Sequence, residues 1–290
     1  MNQISYIHPY LISQINKKKN LLEKAEHQKK LFKMFRIYEE AAQVEAIRHS
    51  LWMEKQDEDP AVHYNPNRKE NQKAIKNSFN ALLWAQNNLK IGGTNKEHIS
   101  IISGMLDPEW WQKYAENAPS NPKYRSMAVR PGGADGPHTP PYPAEVPDEM
   151  RRYFEKLNSL LIEAEEERGE KKKCKKYDKA LAAAGYAHFH LLRIHPFEDT
   201  NGRTSRTLQN AILKYFGLPP AIIFGGEKSD YISHLISAKN GYGDRFHSPD
   251  IDVSGGEFNF YNYIAGKVNT NLDRILGKEI PLEKKGLFGF

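Results

Sequence analysis

The sequence is poor in the features that mark secreted or membrane-embedded proteins. A single cysteine, Cys174, among 290 residues excludes an internal disulfide and any cysteine-based zinc site. No stretch approaches the ~18 consecutive apolar residues that a membrane span needs. The opening MNQISYIHPYLISQINKKKN lacks the basic head and apolar run of a secretion signal. A soluble, cytoplasmic protein with no membrane partner is therefore expected. Internal repeats and low-complexity tracts are missing as well. The charge excess is small: 42 Lys+Arg against 36 Asp+Glu gives +6, which permits an anionic partner without requiring one.

What is present suffices for a core, since 39% hydrophobic and 11% aromatic residues are too many for a disordered chain. From Tyr10 to about Lys55 there is neither proline nor glycine. Leu31, Met34, Phe35, Tyr38, Ala41, Ala42 and Glu45 there fall on one helical stripe. Residues 69–90 read as a second helix stopped by Gly92 and Gly93, and residues 95–117 as two short helical pieces around Asp107 and Pro108. A further helix is expected from an Asp148 N-cap to about residue 168, then an apolar, central helix over 178–194. Another starts near Gly202 and runs to Phe216, and more helix fills 226–277. The block GEKKKCKKYDK reads as a solvated helix end or loop rather than a nucleic-acid site, because no aromatics interleave with its lysines.

Residues 118–148 differ in kind, being dense in proline and glycine. Tyr124–Arg130 alternates enough for a short strand, and Gly132–Gly136 can turn it back toward His138 and Thr139, giving a small hairpin on a helical body. The fold class is all-α, with that hairpin as a flap.

The chemistry concentrates in His195-Pro196-Phe197-Glu198-Asp199-Thr200-Asn201-Gly202-Arg203-Thr204-Ser205-Arg206. Pro196 disfavours continued helix at His195. Asn201 and Gly202 tolerate positive φ, so the loop can curl and aim backbone N–H groups inward. It feeds a helix N-terminus, which favours an anion, and Arg203 and Arg206 share a face of its first turn. Asp199 is a hard ligand suited to Mg²⁺, and His195 can take a proton from a hydroxyl. Base, metal ligand, amide cradle and two guanidinium groups are the parts of phosphoryl or nucleotidyl transfer.

This segment closely resembles the signature H-x-F-x-[D/E]-G-N-G-R-x-x-R of the Fic (filamentation induced by cAMP) family, with Thr200 in place of the usual glycine. The likeness extends to Asn121–Pro147, similar to the family's flap, and to Tyr231, Leu235, Ala238 and Gly241, similar to the helix that closes its nucleotide pocket. It covers about residues 30–275. It implies an N-terminal helical region over 1–92, a Fic core over 93–277 and a tail over 278–290. It implies transfer of AMP from ATP, with Mg²⁺, to a Ser, Thr or Tyr hydroxyl of a target protein. By position, His195 is the general base, Phe197 anchors the loop and Asp199 holds Mg²⁺. Asn201 and the Gly202 amide hold the α-phosphate, Arg203 the β- and Arg206 the γ-phosphate. Thr200 lines the cradle, while Tyr231 and Lys239 lie on the adenine side. The flap residues Val129, Arg130, His138 and Thr139 dock the target. Family members often form homo-oligomers.

Many relatives carry an inhibitory helix with the pattern [S/T]-x-x-x-E-[G/N], whose glutamate pairs with the second motif arginine. A carboxylate on the apolar stripe is costly to bury, so Glu45 reaches solvent from a bent helix, forms a structural ion pair, or, as the resemblance implies, is the inhibitor, on a helix over about 31–55 and paired with Arg206. Ala41 and Ala46 replace the flanking signals. Other departures leave alternatives open. A β-branched residue avoids positive φ, so Thr200 fits the cradle, touches phosphate or lowers activity. Tyr231 stacks on the base or packs in the core. Ile232 and Lys239 stand where the family has a second tyrosine and an asparagine, which leaves room for another nucleotide or phosphate-bearing group. Removal of AMP from a target, or a catalytically weak regulatory binding protein, are the remaining readings.

Overall fold

The computed structural model describes residues 5–26, 29–54, 69–108, 112, 124–131, 138–169, 177–245 and 253–277. These form nine α-helices: α1 (Pro9–Glu26), α2 (Lys29–Glu54), α3 (Lys69–Asn88), α4 (Lys96–Leu106), α5 (Val146–Gly169), α6 (Asp178–Ile194), α7 (Asn201–Tyr215), α8 (Lys228–Arg245) and α9 (Gly255–Ile275). Single 3₁₀ turns, Pro143–Glu145 and Gly225–Glu227, lead into α5 and α8.

α6 is the axis of the bundle. Its sequence DKALAAAGYAHFHLLRI is apolar around its whole circumference, and a helix of that kind must be enclosed. Fifteen of its seventeen residues are buried, so neighbours cover every side of it. α5, α7 and α9 pack against it. Gly185 permits the closest of these approaches, because a Cβ there would lie 2.7 Å from the Tyr261 ring of α9. α7 leaves the far end of the connecting loop and is clamped on its other side by α3, α4 and α2. The loop is thus suspended between two helices that are immobilised on nearly all sides.

Several sequence expectations need correction. The stretch free of proline and glycine holds α1 and α2, and residues 27 and 28 between them lie outside the described residues. α5 begins at Val146, after a 3₁₀ turn, rather than from an Asp148 cap. α4 is the first of the two pieces expected over 95–117, and most of the second lies outside the described residues, as do the lysine block at 171–176 and the turn over 132–136. Among the described residues there is no strand, and 124–131 and 138–142 run as irregular backbone. The physical reason is in the hydrogen bonds. Pro131, Pro140 and Pro141 have no N–H to give a ladder, and the N–H of Arg125 donates to Pro196 O of the loop (2.8 Å) instead of to an opposing strand.

Candidate active site

α6 ends at His195, which adopts a left-handed conformation (φ 53°) and donates its N–H to Leu191 O. Pro196 follows, and Phe197 is fully buried. The Asn201 side chain then closes the loop on itself: its Oδ1 accepts the Phe197 N–H (3.0 Å) and its Nδ2 donates to Phe197 O (2.9 Å). Asn201 is 2% exposed. The structure therefore gives this side chain the work of bracing the loop.

Thr200 keeps the left-handed backbone (φ 66°) that the family's glycine would supply. The strain of a β-branched residue there is on the order of 1–2 kcal/mol. Its hydroxyl offsets part of this by bonding Ser103 Oγ of α4 (2.5 Å) in a fully buried setting, with Thr204 Oγ1 at 3.5 Å. Thr200 thus points into the core, away from the loop's concave side. Of the alternatives left open by the sequence, it fits.

Asp199 is exposed (69% of its side chain), accepting the Thr200 N–H on Oδ1 (2.6 Å) and Arg203 on Oδ2 (3.2 Å). Among the described residues no three His, Cys, Asp or Glu side chains gather as a metal cage. One accessible carboxylate beside an anion-favouring helix N-terminus suits Mg²⁺ that arrives with a polyphosphate and keeps its waters.

The second arginine shows the largest departure from expectation. Arg206, 7% exposed, donates from Nε to Ser50 Oγ (2.7 Å) and from Nη2 to Ser50 O (3.2 Å), and forms a close ion pair with Glu54. Burial disfavours its charge most strongly of any one cause, but Glu54 and Tyr231 together outweigh it and hold its pKa above the usual arginine value. Glu45 instead pairs with Arg274 of α9, its two oxygens 3.0 and 2.9 Å from Nη2. Nine residues separate the two glutamates, and at 100° per residue they point to opposite sides of α2. Ser50, four residues before Glu54, shares its side. The sequence carried this signal: Ser50-Leu51-Trp52-Met53-Glu54 matches the S-x-x-x-E part of the inhibitory pattern, with Lys55 at its last position. Gly202 accommodates the arrangement, because a Cβ there would lie 2.6 Å from Glu54 Oε1.

Tyr231 is also reassigned. It is 5% exposed, its OH lies 2.8 Å from His188 Nε2, and the other nitrogen of His188 meets Gln209 Oε1 at 2.5 Å. Burial raises its phenol to about 12. Its hydroxyl belongs to a buried polar chain leading to Arg206.

A cleft of about 480 Å³ opens beside the loop, within the usual size range of a small-molecule site. Met53 and Glu54 of α2, His138 of the flap, His195, and Ile232 and Lys239 of α8 line it. Val129 is half-buried on the flap, Arg130 and Thr139 are exposed, and His138 donates to or accepts from its surroundings through Nε2, 2.7 Å from Arg193 O. Because a carbonyl only accepts, that nitrogen carries the proton. The same logic places the His195 proton on Nδ1, 3.4 Å from Leu192 O, and leaves Nε2 with a lone pair. Desolvation is the main reason that His195 titrates at about 4, with His138 and Arg125 lowering it further against the pull of Asp199. The imidazole is neutral at pH 7.

Residues 100–213 match the family model described as the Fic/DOC family. The curated "Protein adenylyltransferase Fic" of Drosophila willistoni is 37% identical over 122 residues, covering 41% of this chain and 20% of that protein. The protein of the same name from Nematostella vectensis is 35% identical over 104 residues, covering 36% and 21%. The chain thus spans about a fifth of the length of the curated relatives it matches. A crystal structure of a Fic-domain-containing signaling protein from Bacteroides thetaiotaomicron superposes with a TM-score of 0.66 at 18% identity, over 93% of this chain and all of that one, a likeness of fold. No helix among the described residues is long and apolar enough to cross a membrane.

Proposed function

From the premise that the chain carries a Fic/DOC-family domain over residues 100–213, we propose that it is a protein adenylyltransferase held in check by Glu54. The reaction moves AMP from ATP to a Ser, Thr or Tyr hydroxyl of a target protein. The target oxygen attacks the α-phosphorus, its proton passes to His195 Nε2, and the bond to the β-phosphate oxygen breaks to release pyrophosphate. A neutral imidazole with its Nδ1–H tied to a carbonyl is prepared for that proton. Arg203, Arg206 and the N-terminus of α7 bind the phosphates. Mg²⁺ held by Asp199 would neutralise charge on the phosphate oxygens.

The observation that carries this reading is the Arg206–Glu54 pair. A buried guanidinium needs an anion, and here a carboxylate from a separate helix fills the place that a terminal phosphate would take. The motif arginine is therefore built for an anion and currently occupied by a surrogate. Because the same carboxylate lines the cleft with His195, a second reading follows: Glu54 orients water for removal of AMP from a modified target.

The test is intact-mass spectrometry of the purified chain incubated with Mg²⁺ and each nucleoside triphosphate. Glu54→Gly is expected to acquire an AMP adduct from ATP, and Glu54→Gly with His195→Ala to acquire none. No adduct on Glu54→Gly or on added protein substrates overturns the reading. AMP loss from an adenylated substrate that requires Glu54 selects the second one.

A further inference from the structure

The C-terminal end of α6 leaves a row of carbonyls without partners in the helix, as every helix end does. Two residues from the flap help to take them up. Arg193 O meets His138 Nε2. His195 itself meets Leu191 O and Leu192 O, and Arg125 takes the next: its Nη2 donates to Ile194 O (3.5 Å), its Nε to His195 O (2.7 Å), and its main-chain N–H to Pro196 O just beyond the helix (2.8 Å). The same guanidinium reaches both legs of the flap, donating from Nη1 to Met127 O (3.1 Å) and from Nη2 to Pro141 O in a short bond.

Arg125 is 3% exposed. Every side-chain hydrogen bond it makes ends on a main-chain carbonyl, and its charge sits at a helix C-terminus, where the aligned peptide dipoles favour a cation. A guanidinium fork suits this position because five N–H groups in one plane can serve several acceptors at once. A lysine ammonium offers three donors at one point and cannot span them.

We propose that Arg125 is a positioning residue for the transfer: it locks the left-handed backbone of His195 and both legs of the flap into one unit, so that a hydroxyl presented by the flap meets the imidazole. This rests on the adenylyltransferase reading, in which the flap presents the target. Arg125 itself touches neither nucleotide nor target. His138 and Arg125 lower and Asp199 raises the His195 pKa, and Glu54, Arg193, Lys228 and Lys239 line the same cleft, so replacing Arg125 removes one positive charge from the surroundings of His195 and leaves the other groups in place.

The experiment compares Arg125→Gln and Arg125→Lys, each in the Glu54→Gly chain, by two readouts. The first is an NMR pH titration of the His195 ring, assigned by the signal missing in His195→Ala, and it needs no activity. Arg125→Gln is expected to move the midpoint upward toward the ordinary histidine value, and Arg125→Lys, which keeps the charge, to leave it near its starting point. The second is AMP transfer: both variants are expected to lose about 10- to 100-fold in kcat, the scale of an ångström-sized misplacement, with the KM for ATP unchanged. If Arg125→Gln does not fold, Arg125→Lys carries the test through its kcat loss at unchanged KM for ATP. A kcat in Arg125→Lys equal to that of the Glu54→Gly parent, together with an unmoved His195 midpoint in Arg125→Gln, overturns the proposal, as does a kcat loss matched by an equal loss of ATP affinity. If Glu54→Gly itself transfers no AMP, the functional reading fails while the titration still decides whether Arg125 governs His195.

Discussion

Glu45 and Arg274 join the middle of α2 to the end of α9 through an ion pair of 2.9 Å, with only 22% and 11% of the two side chains exposed. The guanidinium also lies over the Phe224 ring, 5.6 Å from its centre. Nearby, His49 Nδ1 accepts the Gly225 N–H (3.1 Å) and its ring meets that of Phe224 at 4.9 Å. α2 is therefore docked by contacts on one side and holds Arg206 from the other, through Glu54 and Ser50. Under the proposed function, docking and inhibition are then separate jobs carried by separate residues of one helix.

That separation predicts different outcomes for the two glutamates. Glu54→Gly should relieve the block on AMP transfer by at least about tenfold, because it frees Arg206 for phosphate. Glu45→Ala should destabilise the chain by about 1–3 kcal/mol, the cost of stranding a partly buried partner, and lower Tm by several degrees. Its activity at a temperature where it stays folded should remain close to the repressed wild-type level. Radiolabelled transfer and thermal denaturation of both variants decide this, and full derepression by Glu45→Ala would assign inhibition to the dock instead.

How far the sequence revealed all this varied with the kind of signal. The helices came through because α6 is apolar all round and α7 follows a strong loop signal; both need only local pattern. The loop motif was legible for the same reason, with its residues within twelve positions. The carboxylate partner of Arg206 was misassigned because a glutamate on the apolar stripe was taken for it. Ion-pair choice depends on which helix faces which side of α2, and that is a tertiary fact. Likewise, Tyr231 and Asn201 have polar groups that suit a ligand equally well, and only the packed neighbours His188 and Phe197 show that those groups are already used. Arg125 carried no legible signal, because the acceptors that tie it to the catalytic loop, His195 O and Ile194 O, lie some seventy residues away and only the fold brings them beside Met127 O and Pro141 O.

Thr200 offers a second test. Thr200→Val keeps the shape and the left-handed strain but deletes the hydroxyl, leaving the buried Ser103 Oγ without its 2.5 Å partner. It should cost about 1–3 kcal/mol. Thr200→Gly also loses that bond, yet it removes about 1–2 kcal/mol of backbone strain, so it should be the milder of the two by chemical denaturation. The opposite ranking would mean that the backbone at this position is not strained.

Tyr231→Phe separates packing from nucleotide recognition. Phenylalanine preserves an aromatic face, so a base-stacking residue would tolerate the change. In the buried chain it leaves His188 Nε2 facing no hydroxyl. The expected result is a loss of about 1–3 kcal/mol in unfolding free energy with affinity for ATP in the Glu54→Gly chain reduced less than about threefold. Unaltered stability with a large affinity loss would return Tyr231 to the nucleotide site.

The buried imidazoles set a pH dependence of stability. Burial is the main cause in each case: His188 titrates at about 3, and His138 and His195 at about 4, against 6.5 for a free histidine. In the unfolded chain all three take up protons as pH falls through 6.5, while the folded forms stay neutral until far lower. The unfolded state thus binds more protons in this window, and stability falls as pH drops from about 6.5 toward 4. Above pH 6.5 these groups contribute no slope. The fully buried His188 alone should give a slope on the order of 1 kcal/mol per pH unit. Urea denaturation at half-unit steps between pH 7.5 and 4.5 measures it, and His188→Gln should flatten the curve by that amount. A stability that is constant or rising as pH falls from 6.5 to 5 would show that His188 already carries its proton in the folded chain.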